Sequence, residues 1–364
     1  MKNTLMATTA IVLVAASASA VDVELYGQVS KGLFSFDDGA NTDTVVVDSD
    51  MSGTRFGFKG AQALDNGLTA SVLFEGEMQS NPSNTFFQAA AVTQAATPAS
   101  AAPTFDERQA RVGLSGAFGG VYLGQQSTAS DGAINQDLAG VNDVMGADYR
   151  KIGGGLLFRT SGGAALTANS ANTMSFSHEV NRADSIRYDS PIYNGFQGRA
   201  AIAQGGDMDL GVFYDGGMGD FKVAGALGAY FNNDSTAIAN DVVDSEYFGS
   251  VSAKHTSGIG ATVAYASGSL NRKTGGQDDP SSMYVKVGYA WDAFEVAADM
   301  GRQNDWGNTT NLQDSKLGAY GLGAQYNLTK GVTVAALYRN FDADITATNT
   351  DSIDLYGVNM KVKF

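Results

Sequence analysis

The chain closes on Tyr356-Gly357-Val358-Asn359-Met360-Lys361-Val362-Lys363-Phe364. Successive side chains of a strand point to opposite faces, so the apolar residues Tyr356, Val358, Met360, Val362 and Phe364 share one face. Gly357, Asn359, Lys361 and Lys363 occupy the other. The same period recurs in Met283, Val285, Val287, Tyr289 and Trp291, and again in Phe294, Val296, Ala298 and Met300. Asp292-Ala293 between these two runs makes a tight hairpin turn. Carried along the chain, the pattern predicts sixteen strands at 23–36, 52–62, 68–78, 106–117, 121–126, 182–190, 196–204, 207–215, 221–231, 244–255, 260–268, 282–291, 294–302, 316–327, 332–341 and 353–364. Most have roughly the 9 to 11 residues that a tilted strand needs to cross a bilayer.

The connections alternate in length. Leu64 to Gly67, Gly119-Gly120, Asp215 to Asp220, Ser257-Gly258 and Leu328 to Gly331 are short and carry turn residues. Those at 37–51, 79–105, 127–181, 232–243, 269–281, 303–315 and 342–352 are long. One rim of tight turns and one of long polar loops is the arrangement of an outer-membrane barrel. The expected fold is therefore all-β, a 16-stranded antiparallel transmembrane β-barrel with short periplasmic turns and long outer loops. All five prolines, Pro82, Pro98, Pro103, Pro191 and Pro280, fall between the strands, as they must where a ladder needs every N–H. Phe34, Phe36, Phe105, Tyr214, Phe231, Tyr247, Tyr289, Trp291, Tyr326, Tyr338 and Phe364 fall near strand ends, where aromatic girdles are expected.

Composition agrees with a lipid-solvated exterior. Only 17% of the 364 residues are charged while 43% are hydrophobic. A net charge of -15 argues against a nucleic-acid partner, which needs clustered cations to neutralise phosphate. Absence of cysteine removes thiolate metal sites and disulfides, and with two histidines, His178 and His255, no metal or other cofactor is expected. Lys2, the apolar run Leu5 to Ala16 and Ala18-Ser19-Ala20 form a signal-peptide pattern, which predicts export of residues 21–364 as the barrel. Beyond residue 20 no apolar run is long enough for a spanning helix.

Several local sequences, in this order, resemble the Gram-negative general porins of neisserial and proteobacterial type. They are Leu25-Tyr26-Gly27, Arg55-Phe56-Gly57-Phe58-Lys59-Gly60, the Leu64 to Gly67 turn, Arg108-Gln109 with Val112-Gly113-Leu114, Gly119-Gly120, Ser185 to Pro191, and the terminal Phe364. The resemblance runs the length of the mature chain. It implies a homotrimer in outer-membrane lipid and lipopolysaccharide, passing small hydrophilic solutes and ions. It also implies that the third long loop, 127–181, folds inward as a constriction loop.

Alternation places Arg55, Lys59, Arg111, Arg187, Arg199, Lys361 and Lys363 on the water-facing side of their strands. They gather on one arc of wall, because the first strands and the last become neighbours when the barrel closes. Arg108 shares the parity of Ala110, Val112 and Leu114 and would face lipid by strict alternation. A position at the outer end of its strand, a bulge or a subunit contact would each resolve this, and the Arg-Gln motif favours a pore role. The third loop offers Asp131, Asp137, Asp143 and Asp148 as carboxylates to set against the arginine arc. Opposed charges across a narrow lumen would orient polar solutes.

Motifs for other chemistry fail. Asp48 to Gly53 begins like a calcium loop, but its twelfth position is Lys59 rather than Glu, so it reads as an acidic loop. No Gly-x-Ser-x-Gly elbow or phosphate loop occurs, which disfavours an enzyme. A porin for passive diffusion is the expected function. A substrate-selective porin for phosphate or other anions, and a structural or adhesive barrel with an occluded lumen, are the alternatives.

Overall fold

The computed structural model describes residues 21–88, 104–174, 181–233, 243–270, 278–305, 315–345 and 348–364. The expected signal peptide, His178 and the Ala/Thr-rich stretch Ala89 to Ala102 lie outside them. Sixteen strands form the wall: Asp22–Asp37, Arg55–Ala63, Thr69–Gln79, Thr104–Gly116, Gly119–Ser127, Arg182–Asp189, Phe196–Ala203, Met208–Met218, Phe221–Phe231, Val243–His255, Ile259–Leu270, Ser281–Trp291, Phe294–Asn304, Lys316–Thr329, Val332–Asp344 and Ile353–Lys363. Each expected strand is present, with ends shifted by a few residues. Neighbours pair antiparallel, and the first strand pairs with the last from Gln28 opposite Lys363 to Asp37 opposite Asp354. Gly27 and Phe364 exchange both backbone hydrogen bonds at 3.0 Å. The terminal strand read first in the sequence is the seam that closes the barrel.

The long loops carry strands that the alternation did not predict, and three of them, Leu157–Thr160, Ala165–Ser170 and Thr350–Asp351, form a small separate sheet. Thr42–Asp48, in the first long loop, pairs with the upper half of the first wall strand and joins the same sheet. Its last residue, Asp48, is fully buried rather than part of a solvated acidic loop, and it accepts hydrogen bonds from the Ser80 and Asn81 amides. At the opposite rim, Gly67 (φ 80°) and Asp292 (φ 47°) take the left-handed conformations that tight turns require.

The outward face is apolar where lipid would cover it. Val112, Leu123, Val212, Leu227, Val263, Leu322 and Val358 are all exposed on it. Aromatics band its turn rim, with Tyr289, Trp291, Phe294 and Tyr326 in one stacked row. Phe34 and Phe36 depart from the expected girdle: both point inward and are fully buried. The Phe34 ring lies over Gly32 and Gly357, where a Cβ would stand 2.4 Å and 2.6 Å from ring atoms. Those two glycines are the slot that admits it.

An inward apolar patch therefore exists near the outer end, made by Phe34, Phe36, Leu317, Leu337, Phe341, Ile353 and Leu355. Met145, Tyr149, Ile152, Leu156, Phe158 and Met174 of the third long loop pack onto it. This core inside the barrel draws the loop off the rim.

Replacing outward Val358 by Arg is expected to destabilise the folded barrel by about 2–4 kcal/mol, the cost of a guanidinium near the bilayer midplane. Reversible urea unfolding in lipid vesicles measures it, and a loss below about 1 kcal/mol would contradict the assigned faces.

Candidate functional site

The third long loop runs from Ser127 to Arg182 and crosses the inside of the wall. Its path follows a series of ties to inward side chains. The Ser130 amide donates to Asp209 at 2.6 Å, and the Gln136 and Leu138 amides donate to the hydroxyls of Ser250 (2.9 Å) and Ser252 (2.8 Å). Further along, Asp137 pairs with Lys286 at 2.6 Å and accepts from Thr262, while the Val141 amide donates to Glu295 at 2.7 Å. Asp143 then contacts Lys361 and Thr333 on the closing strands. The Gly153 amide finally donates to the Ser83 carbonyl of the second long loop at 2.8 Å. The loop thus follows the wall from the eighth strand to the sixteenth and leaves the arginine-bearing strands facing open space.

Between loop and arginine wall lies a cavity of about 560 Å³. Arg55, Glu77, Arg108 and Arg182 line it from the wall, and Asp131, Asp148, Arg150 and Lys151 from the loop. Asp50 closes its upper side, with its carboxylate held by Gln79 at 2.7 Å and by the Asn84 amide at 2.9 Å. Burial pushes the Asp50 carboxyl up from the ordinary carboxylate range.

Arg108 reaches this cavity through a β-bulge. Register shifts between Glu75 and Gly76, which face Gln109 and Glu107, so Arg108 is the extra residue. The bulge turns Arg108 inward and reverses parity above it, which is why Phe105 faces lipid on the side of Val112 despite its odd number. Arg108 Nε donates to Glu75 at 2.7 Å and Nη1 contacts Glu77. Arg55 Nε lies 3.3 Å from the second oxygen of Glu75, which also accepts from the Tyr26 hydroxyl at 3.0 Å. Gly53 leaves the space that the Glu77 carboxylate occupies, since a Cβ there would lie 1.8 Å from it.

The remaining expected residues are placed elsewhere. Arg187 makes a bidentate pair with Asp189 at 2.9 Å to each oxygen and is 8% exposed. The guanidinium of Arg111 stacks on Tyr122, 4.3 Å from the ring centre, and that of Arg199 lies 4.0 Å from the Phe213 ring. Lys59 is exposed and pairs with Glu24 at 3.2 Å. Of the four loop aspartates, Asp131 and Asp148 face the cavity, and Asp148 pairs with Arg150 at 2.7 Å. Asp137 is instead bound to Lys286 on the far wall, and Asp143 meets Lys361 of the basic arc on the closing strand, so that both tie the loop down.

The geometry is that of a barrel whose own loop narrows its lumen beside a basic wall. A family model of Gram-negative porins matches residues 7–346. The chain is a Gram-negative porin. A search of curated proteins returns no sequence match. Among solved structures, the fold is similar to an anion-selective porin from Comamonas acidovorans at 17% identity and a TM-score of 0.62, over 95% of this chain and 100% of that one. It is also similar to the trimer form of OmpT from Vibrio cholerae at 16% and 0.60, over 95% and 100%. The porin OmpF of Salmonella typhi, in complex with daunomycin, matches at 16% and 0.58, over 94% and 98%. As a porin, this protein resides in the outer membrane of a Gram-negative bacterium and forms a diffusion channel there.

Sequence reasoning missed several residues of this lumen. Glu75 and Glu77 have the inner-face parity of their strand, and that alternation is the signal that marks them. Arg182 has the parity of lipid-facing Ile186 and Tyr188 and lines the cavity because its strand begins there. Lys286 and Arg339 are buried on the inner face, where alternation also places them. Arg339 makes a bidentate pair with Asp299 at 2.7 Å and 2.9 Å, and Asp299 also accepts from Tyr284.

Lys286→Met is expected to leave Asp137 as a buried, unpaired carboxylate and to lower stability by about 3–5 kcal/mol. Adding Asp137→Leu should restore at least half of the loss in urea titrations. A double variant no more stable than the single one would contradict the pairing.

Proposed function

We propose that this porin is a general diffusion channel, not an enzyme, that works as a homotrimer and passes small hydrophilic solutes and ions through the gap between its third loop and arginine wall. The observation that carries this reading is the mixed lining of the 560 Å³ cavity. Arg55, Arg108, Arg150, Lys151 and Arg182 stand against Asp50, Glu77, Asp131 and Asp148, so neither sign is excluded. Charged, hydrated walls offer polar solutes hydrogen bonds throughout and disfavour apolar ones. Residues 127–181 act here as the constriction loop.

A trimer is supported by outward polar residues on the early strands. Glu107 and Asp184 are exposed on the outer face, and Gln125 lies opposite Ala110 on that face. They stand about as many residues above the turn rim as the lipid-facing Tyr247, Tyr265 and Tyr320. Charged groups bare to hydrocarbon at that height are unfavourable, and a neighbouring subunit removes the conflict. The outer membrane protein OmpT of Vibrio cholerae also has a trimer form. Lipid and lipopolysaccharide surround the remaining outer face.

Purified folded protein in a planar bilayer should give stable ohmic steps, grouped in threes, and the absence of steps would sink the channel reading. Cysteine at Glu107 should cross-link between subunits under oxidation, whereas cysteine at Tyr265 should not. Equal cross-linking at both sites would refute the interface.

A further inference from the structure

Arg182 at the outer end of its strand apart, the inward arginines of the early strands divide into two tiers according to what neutralises them. In the upper tier Arg55 and Arg108 share Glu75 and Glu77, two cations against two carboxylates on adjoining strands. In the lower tier, nearer the rim of turns, Arg111, Arg187 and Arg199 have a single wall carboxylate, Asp189, and Arg187 occupies both of its oxygens. Among the described residues no carboxylate lies within ion-pair distance of Arg111 or Arg199. Arg111 Nε and Nη1 are buried without a hydrogen-bond partner, and Arg199 Nε donates only to the neutral Gln197 side chain at 3.0 Å.

Aromatic rings do the positioning that carboxylates do above. Tyr122 and Phe213 hold the two guanidinium planes through their faces, which fixes orientation without cancelling charge. A closed ion pair presents only a dipole to a passing ion. An unpaired cation on a low-dielectric wall keeps its field over about a Debye length, roughly 8–10 Å at moderate salt.

We propose that Arg111 and Arg199 are the anion-recognising element of this channel, and that Arg55 and Arg108, masked by Glu75 and Glu77, add no net selectivity. The ligands are small inorganic and carboxylate anions, which a guanidinium edge binds by charge-assisted hydrogen bonds. The inference rests on the diffusion-channel reading and specifies which wall residues discriminate between ions.

The test compares substitutions that remove unpaired charge with those that remove a neutral pair, using the chloride-to-potassium permeability ratio across a KCl gradient. Arg111→Gln with Arg199→Gln should lower that ratio by about twofold or more. Arg108→Gln with Glu77→Gln deletes an ion pair and should leave the ratio where it was, while Glu77→Gln alone should raise it. Neutral-sugar entry into liposomes reports that each variant is folded and open. If the Arg111 and Arg199 double variant does not assemble, Arg199→Gln alone takes its place and should lower the ratio. Either a double arginine variant, or its single substitute, with an unchanged ratio, or a neutral-pair variant that shifts it as far, overturns the proposal. Wild-type protein without conductance would instead contradict the diffusion reading.

Discussion

Hydrocarbon offers no partner to a backbone N–H or C=O, so a sheet in a membrane must have no free edge. The pairing of Asp22–Asp37 with Ile353–Lys363 meets that condition, and the rest of the structure depends on it. Closure turns alternation along each strand into an outside and an inside. It fixes which side chains lipid covers and gathers the early strands and the last on one arc. It also sends the long loops to one rim, from which the third enters the lumen.

That reason is burial. The inward patch around Phe34, Leu317, Phe341 and Leu355 would face water if the lumen were open at that height, and the loop's Tyr149, Ile152, Leu156 and Phe158 cover it. Ion pairs then fix the loop's position more than they add to its stability, because desolvating both partners offsets much of their attraction. Asp137 with Lys286 and Asp143 with Lys361 set where the loop lies along the wall. The loop's departure from the arginine strands, and so the location of the gap, follows from a core on the strands that close the barrel.

The strands were legible because alternation repeats over many residues, and a lipid-facing side chain has only one acceptable polarity. The lumen was less legible, because inside a barrel both polarities occur. Phe34 and Phe36 look like girdle residues until their parity is matched to Gly32 rather than Leu33. Arg108 could not be assigned by parity because a bulge resets it, although the conflict itself marked the position. Asp137 and Asp143 could not be told from Asp131 and Asp148, because all four lie in one polar loop and only the three-dimensional path gives them different partners. Glu75 and Glu77 were available to the same alternation argument that found Arg55, and the balance of charge at the gap required them.

The inward path of the third loop is most directly tested by a disulfide between Gln136→Cys and Ser250→Cys, positions joined by a 2.9 Å hydrogen bond from loop amide to wall hydroxyl. A loop held against the wall predicts that the bond forms readily in the folded protein and that single-channel conductance is the same oxidised and reduced. Failure of the two cysteines to join, or a conductance that changes when the bond is reduced, would show that the loop rests elsewhere.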